Sequence, residues 1–282
     1  MFYGNKKNTT RLYALFLIMF LLSVTNLSAQ NETFNEQDFF NQLNGSYYKL
    51  SDTKVKNFTA SVTSMKMEMF AKEMWANAEV FPIQLIWLNP DRIFLSQLGV
   101  PKISEEKYKE YQEIVNGLKM QLTGILLDLQ RFYLSGIFES IPADYTLQTN
   151  EEAVQVSFSS KDNVGVTKVK YLFGYNGKNL LLQIYYPSQQ KQLNIYPEFK
   201  TVKNKWLCTG WSVQTYQNNE IVSGFNVALE NRYINEAWVP GEITIKVQQS
   251  KKQGQTFYDA IILKNYMFDQ SLEASPATTK DH

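Results

Sequence analysis

The side chains that most often carry acid–base and nucleophilic chemistry are scarce in this chain. Its 282 residues include one histidine, His282 at the C-terminus, and one cysteine, Cys208. Nucleophilic catalysis needs a general base beside the nucleophile, and that base is usually histidine. Cys208 lies in a strand-like sequence, where a buried and unreactive thiol is the expected role. We therefore expect no enzymatic activity, no zinc site and no cofactor.

Three methionines two residues apart offer the remaining metal chemistry. A period-two pattern predicts a strand that places Met65, Met67 and Met69 on one face and Lys66 and Glu68 on the other. Thioethers so arranged could bind Cu(I), but flexible methionines also suit an ordinary core or a pocket wall that accepts variable alkyl chains. Since no second cluster of thioether, thiol or imidazole groups supports copper, we expect no metal site and favour the pocket wall.

Paired carboxylates would be needed for an enzyme of the glycoside-hydrolase kind. The candidate pairs are Glu105 with Glu106, Glu151 with Glu152, and Glu242 with Asp259. Adjacent carboxylates at a helix start or a hairpin tip are normally solvated, and the sequence shows no apolar setting that would raise a catalytic pKa. The interpretation without catalysis is therefore preferred.

The first 29 residues have the order of a secretory signal peptide. The basic residues Lys6, Lys7 and Arg11 precede an apolar run over 12–24, and a small-residue site ends at Ala29. The run is shorter than the roughly 20 apolar residues that span a bilayer, so we expect cleavage after Ala29 rather than a membrane anchor. A lone cysteine does not suit a disulfide-rich extracellular protein, and we predict a soluble protein exported to a bacterial periplasm.

The charge balance limits the partners. The full chain has 28 Lys and Arg against 27 Asp and Glu, and loss of residues 1–29 would leave 25 against 27. No basic block appears along the sequence, which argues against nucleic acid or an anionic membrane as partner. Binding is therefore expected to depend on shape and apolar contact.

Hydrophobic periodicity predicts an α+β fold that is mainly antiparallel β. An opening helix is expected over 34–50, and a helical insert over 104–141, where apolar residues recur at steps of three and four. The strands expected from period-two alternation are 58–69, 82–88, 92–98, 153–158, 166–175, 180–186, 206–216, 221–232, 237–248 and 256–268.

A sheet of about ten or more strands curls or closes. We therefore expect a large, twisted sheet that curls, with helices filling its concave side. Residues 30–270 are predicted to form a single domain, and residues 271–282 a flexible tail.

Four sequence segments can be assigned to element types from their residues. Val55–Val62 reads as a first long strand after an opening helix, and Ile86–Phe94 as a hairpin with an Asn-Pro-Asp-Arg turn. Ala237–Ile245 and Ile262–Phe268 read as closing strands. In this order and these element types, most of residues 34–270 resembles the periplasmic outer-membrane lipoprotein carriers. The resemblance implies a strongly curved, incomplete antiparallel barrel with helices covering its concave face. It also implies a hydrophobic cavity that shields acyl chains in transit, and no enzymatic activity.

The expected ligand is the acyl chain of a lipid or lipoprotein, held by passive apolar contact. The predicted pocket wall combines Met65, Met67, Met69, Leu85, Trp87, Ile125, Leu126, Leu129 and Phe132. Envelope membrane proteins are further expected partners, and nucleic acid is not. The alternative is a structural or glycan-binding envelope protein whose helices are ordinary core. A connected apolar space of roughly 300 Å³ or more would favour the carrier.

Overall fold

The computed structural model describes most of the chain. The described residues are 34–74, 83–97, 103–162, 165–249 and 256–270. The predicted signal peptide (1–29), its cleavage site after Ala29 and the predicted tail (271–282) lie outside these ranges. Among the described helices, none combines the length and the apolar character that a membrane crossing requires.

The chain divides into two compact units, residues 1–39 and residues 40–282. The described part of the first unit contains the start of helix α1, where Asn35 Oδ1 accepts a hydrogen bond from the backbone N–H of Gln37 at 3.0 Å. A side-chain oxygen in this place satisfies an otherwise unpaired N–H of a helix start. The α-helices among the described residues are α1 (Glu36–Ser46), α2 (Met65–Met74) and α3 (Glu105–Leu129), and a π-helical turn (Gln130–Leu134) continues α3.

In the described part of the chain, twelve antiparallel strands form one open sheet. The strands are β1 (Asn57–Ser64), β2 (Ile83–Leu88), β3 (Arg92–Gln97), β4 (Thr146–Thr149), β5 (Ala153–Asp162), β6 (Gly165–Gly174), β7 (Asn179–Tyr186), β8 (Lys191–Val202), β9 (Lys205–Gln217), β10 (Glu220–Ile234), β11 (Ala237–Gln249) and β12 (Thr256–Phe268). Their order is β3-β2-β1-β12-β11-β10-β9-β8-β7-β6-β5-β4. The prediction of a mainly antiparallel β fold with some helices is confirmed.

Strands β4 and β8 are absent from the predicted set. Pro197 makes β8 difficult to recognise from the sequence, because proline has no N–H for interstrand hydrogen bonds and is rare in central strands. The pairing of β7 with β8 ends at Leu182 and Ile195, so Pro197 lies beyond that ladder. On the other side Pro197 pairs with Trp211 of β9. At this position β8 is therefore locally an edge strand, where proline is tolerated.

Residues Met65–Met74 form helix α2, so the strand predicted to continue as far as Met69 is wrong beyond Ser64. Ser64 Oγ accepts a hydrogen bond from the backbone N–H of Met67 at 3.0 Å, which is the contact of a helix N-cap. The Met, Lys, Glu and Ala residues that follow have high helix propensity. Side chains two positions apart on a helix point in widely different directions. The three methionines therefore do not share one face: Met67 is buried, whereas Met65 and Met69, which are four residues apart, are 45% and 53% exposed.

The π-helical turn fixes the end of α3 against the sheet. The buried ring of Phe132 lies 5.9 Å from the ring of Trp211 in β9 and 6.5 Å from that of Phe199 in β8. Ser135, just after the turn, donates its Oγ hydrogen bond to the Pro90 carbonyl at 3.0 Å. These contacts set the position of α3 relative to β8 and β9.

The pairing register shifts at five places in the described sheet. One shift lies between Glu198 and Phe199 of β8, opposite Gly210 of β9. Gly210 has φ +151°, and a Cβ added there would collide with the backbone carbonyl of Val227 in β10. Only glycine allows the two strands to approach so closely at this position.

Candidate ligand-binding groove

An apolar groove of about 380 Å³ lies between helix α3 and strands β8 to β11. Its lining residues are Met120, Gly124, Ile125 and Asp128 from the helix, and Lys191, Leu193, Ile195, Val213, Thr215, Phe225, Ile245 and Val247 from the strands. Eight of these twelve residues have apolar side chains. The groove is therefore suited to an apolar ligand.

The strand wall contains a row of apolar side chains that crosses four strands. Ile195 of β8 pairs with Val213 of β9, Val213 pairs with Phe225 of β10, and Phe225 pairs with Val247 of β11. Residues directly opposite each other in antiparallel strands have Cβ atoms about 5 Å apart, so their side chains touch. Ile195 and Val213 are buried, whereas Phe225 and Val247 are half-buried. The row thus leads from the interior to the accessible end of the groove.

The helix wall is open because it contains a glycine. Met120, Gly124 and Asp128 are four residues apart and lie on one face of α3. A Cβ added at Gly124 would meet no atom within 4 Å. Met120 is 73% exposed at the mouth of the groove, whereas Ile125 is buried.

The groove contains one buried carboxyl group, that of Asp128. Arg131 Nη1 in the π-helical turn donates a hydrogen bond to Asp128 Oδ1 at 2.6 Å. Burial raises the pKa of the Asp128 carboxyl from 3.8 to about 6, and the positive charge of Arg131 opposes this rise. Arg131 Nε makes no hydrogen bond with any residue that the structure describes. The pair places a titratable group at the border of an apolar site.

A polar cavity of about 440 Å³ borders the same ion pair, since Arg131 lines it together with Lys49, Asp52, Asp91 and Glu139. Both charge signs are present in this lining. Within the described ranges, no group of three or more His, Cys, Asp or Glu side chains could hold a metal ion.

Ile125 is the predicted pocket residue that lines the groove. Leu126, Leu129 and Phe132 follow it along α3 and the π-helical turn, but they are buried and lie outside the lining. Phe132 packs against aromatic rings of the sheet. The wide apolar stripe of the insert thus serves mainly as core, and a narrower edge of it borders the groove.

The predicted pocket residues of the sheet and of the methionine segment lie elsewhere. Leu85 and Trp87 are buried in β2, which β1 and β12 separate from β11. Met65, Met67 and Met69 belong to α2. None of these five described residues lines the groove.

Sequence reasoning missed the part of the strand wall that β8 supplies. Every second residue of this segment is apolar: Leu193, Ile195, Pro197 and Phe199. This period-two spacing is the signal that could have identified the strand. The wall residues Val213, Phe225 and Val247 lie in strands that were predicted, but their pairing register could not be read from the sequence.

The chain matches no protein-family model, no curated protein and no solved structure. The resemblance to the lipoprotein carriers remains a prediction from the sequence.

Proposed function

We propose that this chain is an exported, non-enzymatic carrier or binding protein that shields the acyl chains of a lipid or lipoprotein. The observation that supports this most directly is the apolar groove of about 380 Å³ between α3 and β8–β11. Ligand sites in proteins typically have volumes of about 300 to 1,000 Å³ and mostly apolar walls with a few polar groups. Asp128, Lys191 and Thr215 are the polar groups of this lining.

Burial of alkyl surface would supply the affinity. The row from Ile195 to Val247 crosses three interstrand spacings of about 4.8 Å, which gives an apolar track of roughly 14 Å. Each methylene group removed from water contributes about 0.8 kcal/mol, so eight methylenes would contribute about 6 kcal/mol before the loss of ligand freedom is subtracted. The wall residues need no acid–base chemistry for this task.

The proposal includes a strongly curved, incomplete barrel whose helices cover the concave face. The five register shifts support curvature, because a bulge bends its strand and increases the local twist. The close approach of Gly210 to β10 has the same effect. The groove that α3 shares with four strands supports the placement of the helix.

The absence of catalysis is proposed from the chemistry of the residues. Cys208 is fully buried, and burial raises the pKa of its thiol to about 12, so the thiol stays protonated and unreactive. Export, a periplasmic location, a single domain over 30–270, membership of the lipoprotein-carrier family and envelope membrane proteins as partners stay predictions from the sequence.

A structural or glycan-binding envelope protein is the second candidate. Leu126, Leu129 and Phe132 favour it, because they are buried as ordinary core rather than exposed to a cavity. If the groove is only a surface depression of such a protein, it will bind no acyl chain.

The test uses two glycines of the same helix. Gly124→Trp places an indole in the groove, and Gly117→Trp places the same group outside the groove lining; at both positions an added Cβ meets no atom within 4 Å. Delipidated wild-type and variant proteins are titrated with the fluorescent fatty acid cis-parinaric acid, and thermal unfolding is measured on the same samples.

We expect Gly124→Trp to weaken binding about tenfold or more and Gly117→Trp to leave it near the wild-type value. Wild-type protein that binds no acyl probe after delipidation would refute the carrier. Equal losses in the two variants would show that the probe binds outside the groove.

A further inference from the structure

A second cavity, of about 480 Å³, lies over strands β4 to β8. Its lining includes Gln192 of β8, which alternates along the strand with Leu193, a wall residue of the apolar groove. Because successive side chains of a strand point to opposite faces, the second cavity opens on the face of the sheet opposite the groove. A ligand there would not compete with an acyl chain.

The strand register arranges polar side chains of this cavity in two adjacent rows. The rows are Ser157–Lys170–Gln183 and Ser159–Lys168–Tyr185, each running across β5, β6 and β7. Neighbours within a row have Cβ atoms about 5 Å apart. The two lysines are two residues apart on one strand, which separates them by about 7 Å.

The charged residues of the described cavity lining have one sign. They are Lys168 and Lys170, and none of the described lining residues is a carboxylate. Neither lysine forms an ion pair with a residue that the structure describes. Strands β6 and β7 contain no Asp or Glu at all. The cavity therefore favours an anionic ligand, although the chain as a whole is nearly neutral.

Neutral hydrogen-bonding groups surround the two cations. Gln183 Nε2 and Gln192 Nε2 both donate to Asn194 Oδ1, at 3.2 and 2.7 Å, which fixes the orientation of both amides. Groups held in place before binding lose little freedom when a ligand arrives. Tyr185 is 36% exposed at the cavity and offers a ring face for stacking.

We infer that this cavity binds a negatively charged sugar chain, such as a uronate-containing or phosphorylated glycan. The lysines would neutralise the acidic groups, the serine hydroxyls and oriented amides would bond sugar hydroxyls, and Tyr185 would stack on a ring. A recess of this volume can hold part of an oligosaccharide. The inference is independent of the acyl-binding groove.

The test replaces both lysines by glutamine, K168Q/K170Q, because glutamine keeps polarity and similar length while removing the charge. The matched control is K72Q/K246Q, since Lys72 and Lys246 are exposed and lie on α2 and β11, away from the cavity. Binding is measured by calorimetry with a galacturonate hexasaccharide and a phosphomannan oligosaccharide as probes, and with maltohexaose as the neutral sugar. Vesicles of phosphatidylcholine and phosphatidylglycerol form a separate arm.

We expect the wild type and the control to bind one of the acidic sugars better than maltohexaose, and K168Q/K170Q to lose about tenfold or more in affinity. Tyr185→Ala should weaken sugar binding but not alter the dependence on salt. Binding of neither acidic sugar by the wild type would overturn the inference, as would equal binding by K168Q/K170Q. Preference for the vesicles over both acidic sugars would identify a membrane-facing patch instead and would also overturn it.

Discussion

Two apolar regions of this molecule differ in how completely they are filled. Around Phe58 of β1 the space is closed by large rings: Trp87 of β2 lies 5.7 Å away, Tyr266 of β12 lies 5.3 Å away and Phe268 lies 6.4 Å away. Between α3 and β8–β11, the opposing residues include Gly124, Val213 and Thr215, and a groove remains. The first region is called the aromatic cluster below.

The aromatic cluster is filled by its rings, whereas the groove stays open beside Gly124, which has no side chain to fill it. Aromatic residues remove the largest area from water, but they also occupy the largest volume, so they close the space in which they meet. Trp87 was predicted as a pocket residue because it is hydrophobic, but its ring fills its region. Gly124 has no hydrophobic side chain, and for that reason it leaves the groove open.

The largest expected effect is the loss of a ring from the aromatic cluster. Trp87→Ala should lower the free energy of unfolding by about 3 to 5 kcal/mol, because a fully buried ring leaves a cavity. Phe225→Ala, which truncates a half-buried ring at the groove, should cost less than about 2 kcal/mol and should weaken acyl binding. Urea denaturation and fatty-acid titration of both variants give the comparison. Similar stability losses in the two variants would mean that the groove is packed as tightly as the aromatic cluster.

A smaller, pH-dependent effect is expected from Asp128. Its pKa is raised from 3.8 to about 6, so the folded state binds the proton more tightly than the unfolded state. The stabilisation from this proton is complete below about pH 4 and is lost as the pH rises through about 6. Between about pH 7 and pH 4, wild-type stability relative to Asp128→Asn should therefore increase by up to about 3 kcal/mol.

The measurement for Asp128 is a series of urea melts of both proteins across this pH range. Asp128→Asn leaves Arg131 without its charged partner at every pH, which adds a constant difference between the two proteins. The slope with pH, and not this offset, is the test. If the free energies of unfolding of the two proteins change in parallel with pH, then Asp128 has the same pKa in the folded and unfolded states. Its carboxyl group would then be more exposed to water than the structure shows.

The smallest effect is expected at the helix glycines. Gly124→Ala and Gly117→Ala should each raise the free energy of unfolding by about 0.5 to 1 kcal/mol, because alanine has the higher helix propensity and the methyl group meets no atom within 4 Å. Thermal melts of both variants check this. Destabilisation by Gly124→Ala alone would mean that the helix wall is closer to the strands than an open groove requires.

Strands were predicted correctly where apolar and polar residues alternate without interruption. The prediction failed where a single residue was compatible with two different structures. The strands from β9 to β12 follow the predicted ranges closely. Pro197 made β8 hard to recognise, because a proline is tolerated there only since the pairing with β7 has already ended. Ser64 is equally compatible with a strand and with a helix N-cap. Such choices are made by tertiary pairing, which no local pattern contains.

The candidate sites could be predicted even less completely than the fold. Ile125 was identified because it belongs to a periodic apolar stripe. The rows that place Lys168 and Lys170 beside Ser157 and Ser159 exist only through the register of three strands. A nearly neutral sequence without a basic block gave no sign that two lysines would share a cavity whose described lining includes no carboxylate.

The position of β1 in the strand order has a consequence for the order of events during folding. From β4 to β12 each strand pairs with the next along the chain, so this part of the sheet can grow by successive hairpins. By contrast β1 pairs with β12, and Phe58 meets Phe268 only after a loop of about 200 residues has closed. The β1–β3 segment is made before β12, and we expect it to join the rest of the sheet last, with its apolar strands exposed during that interval.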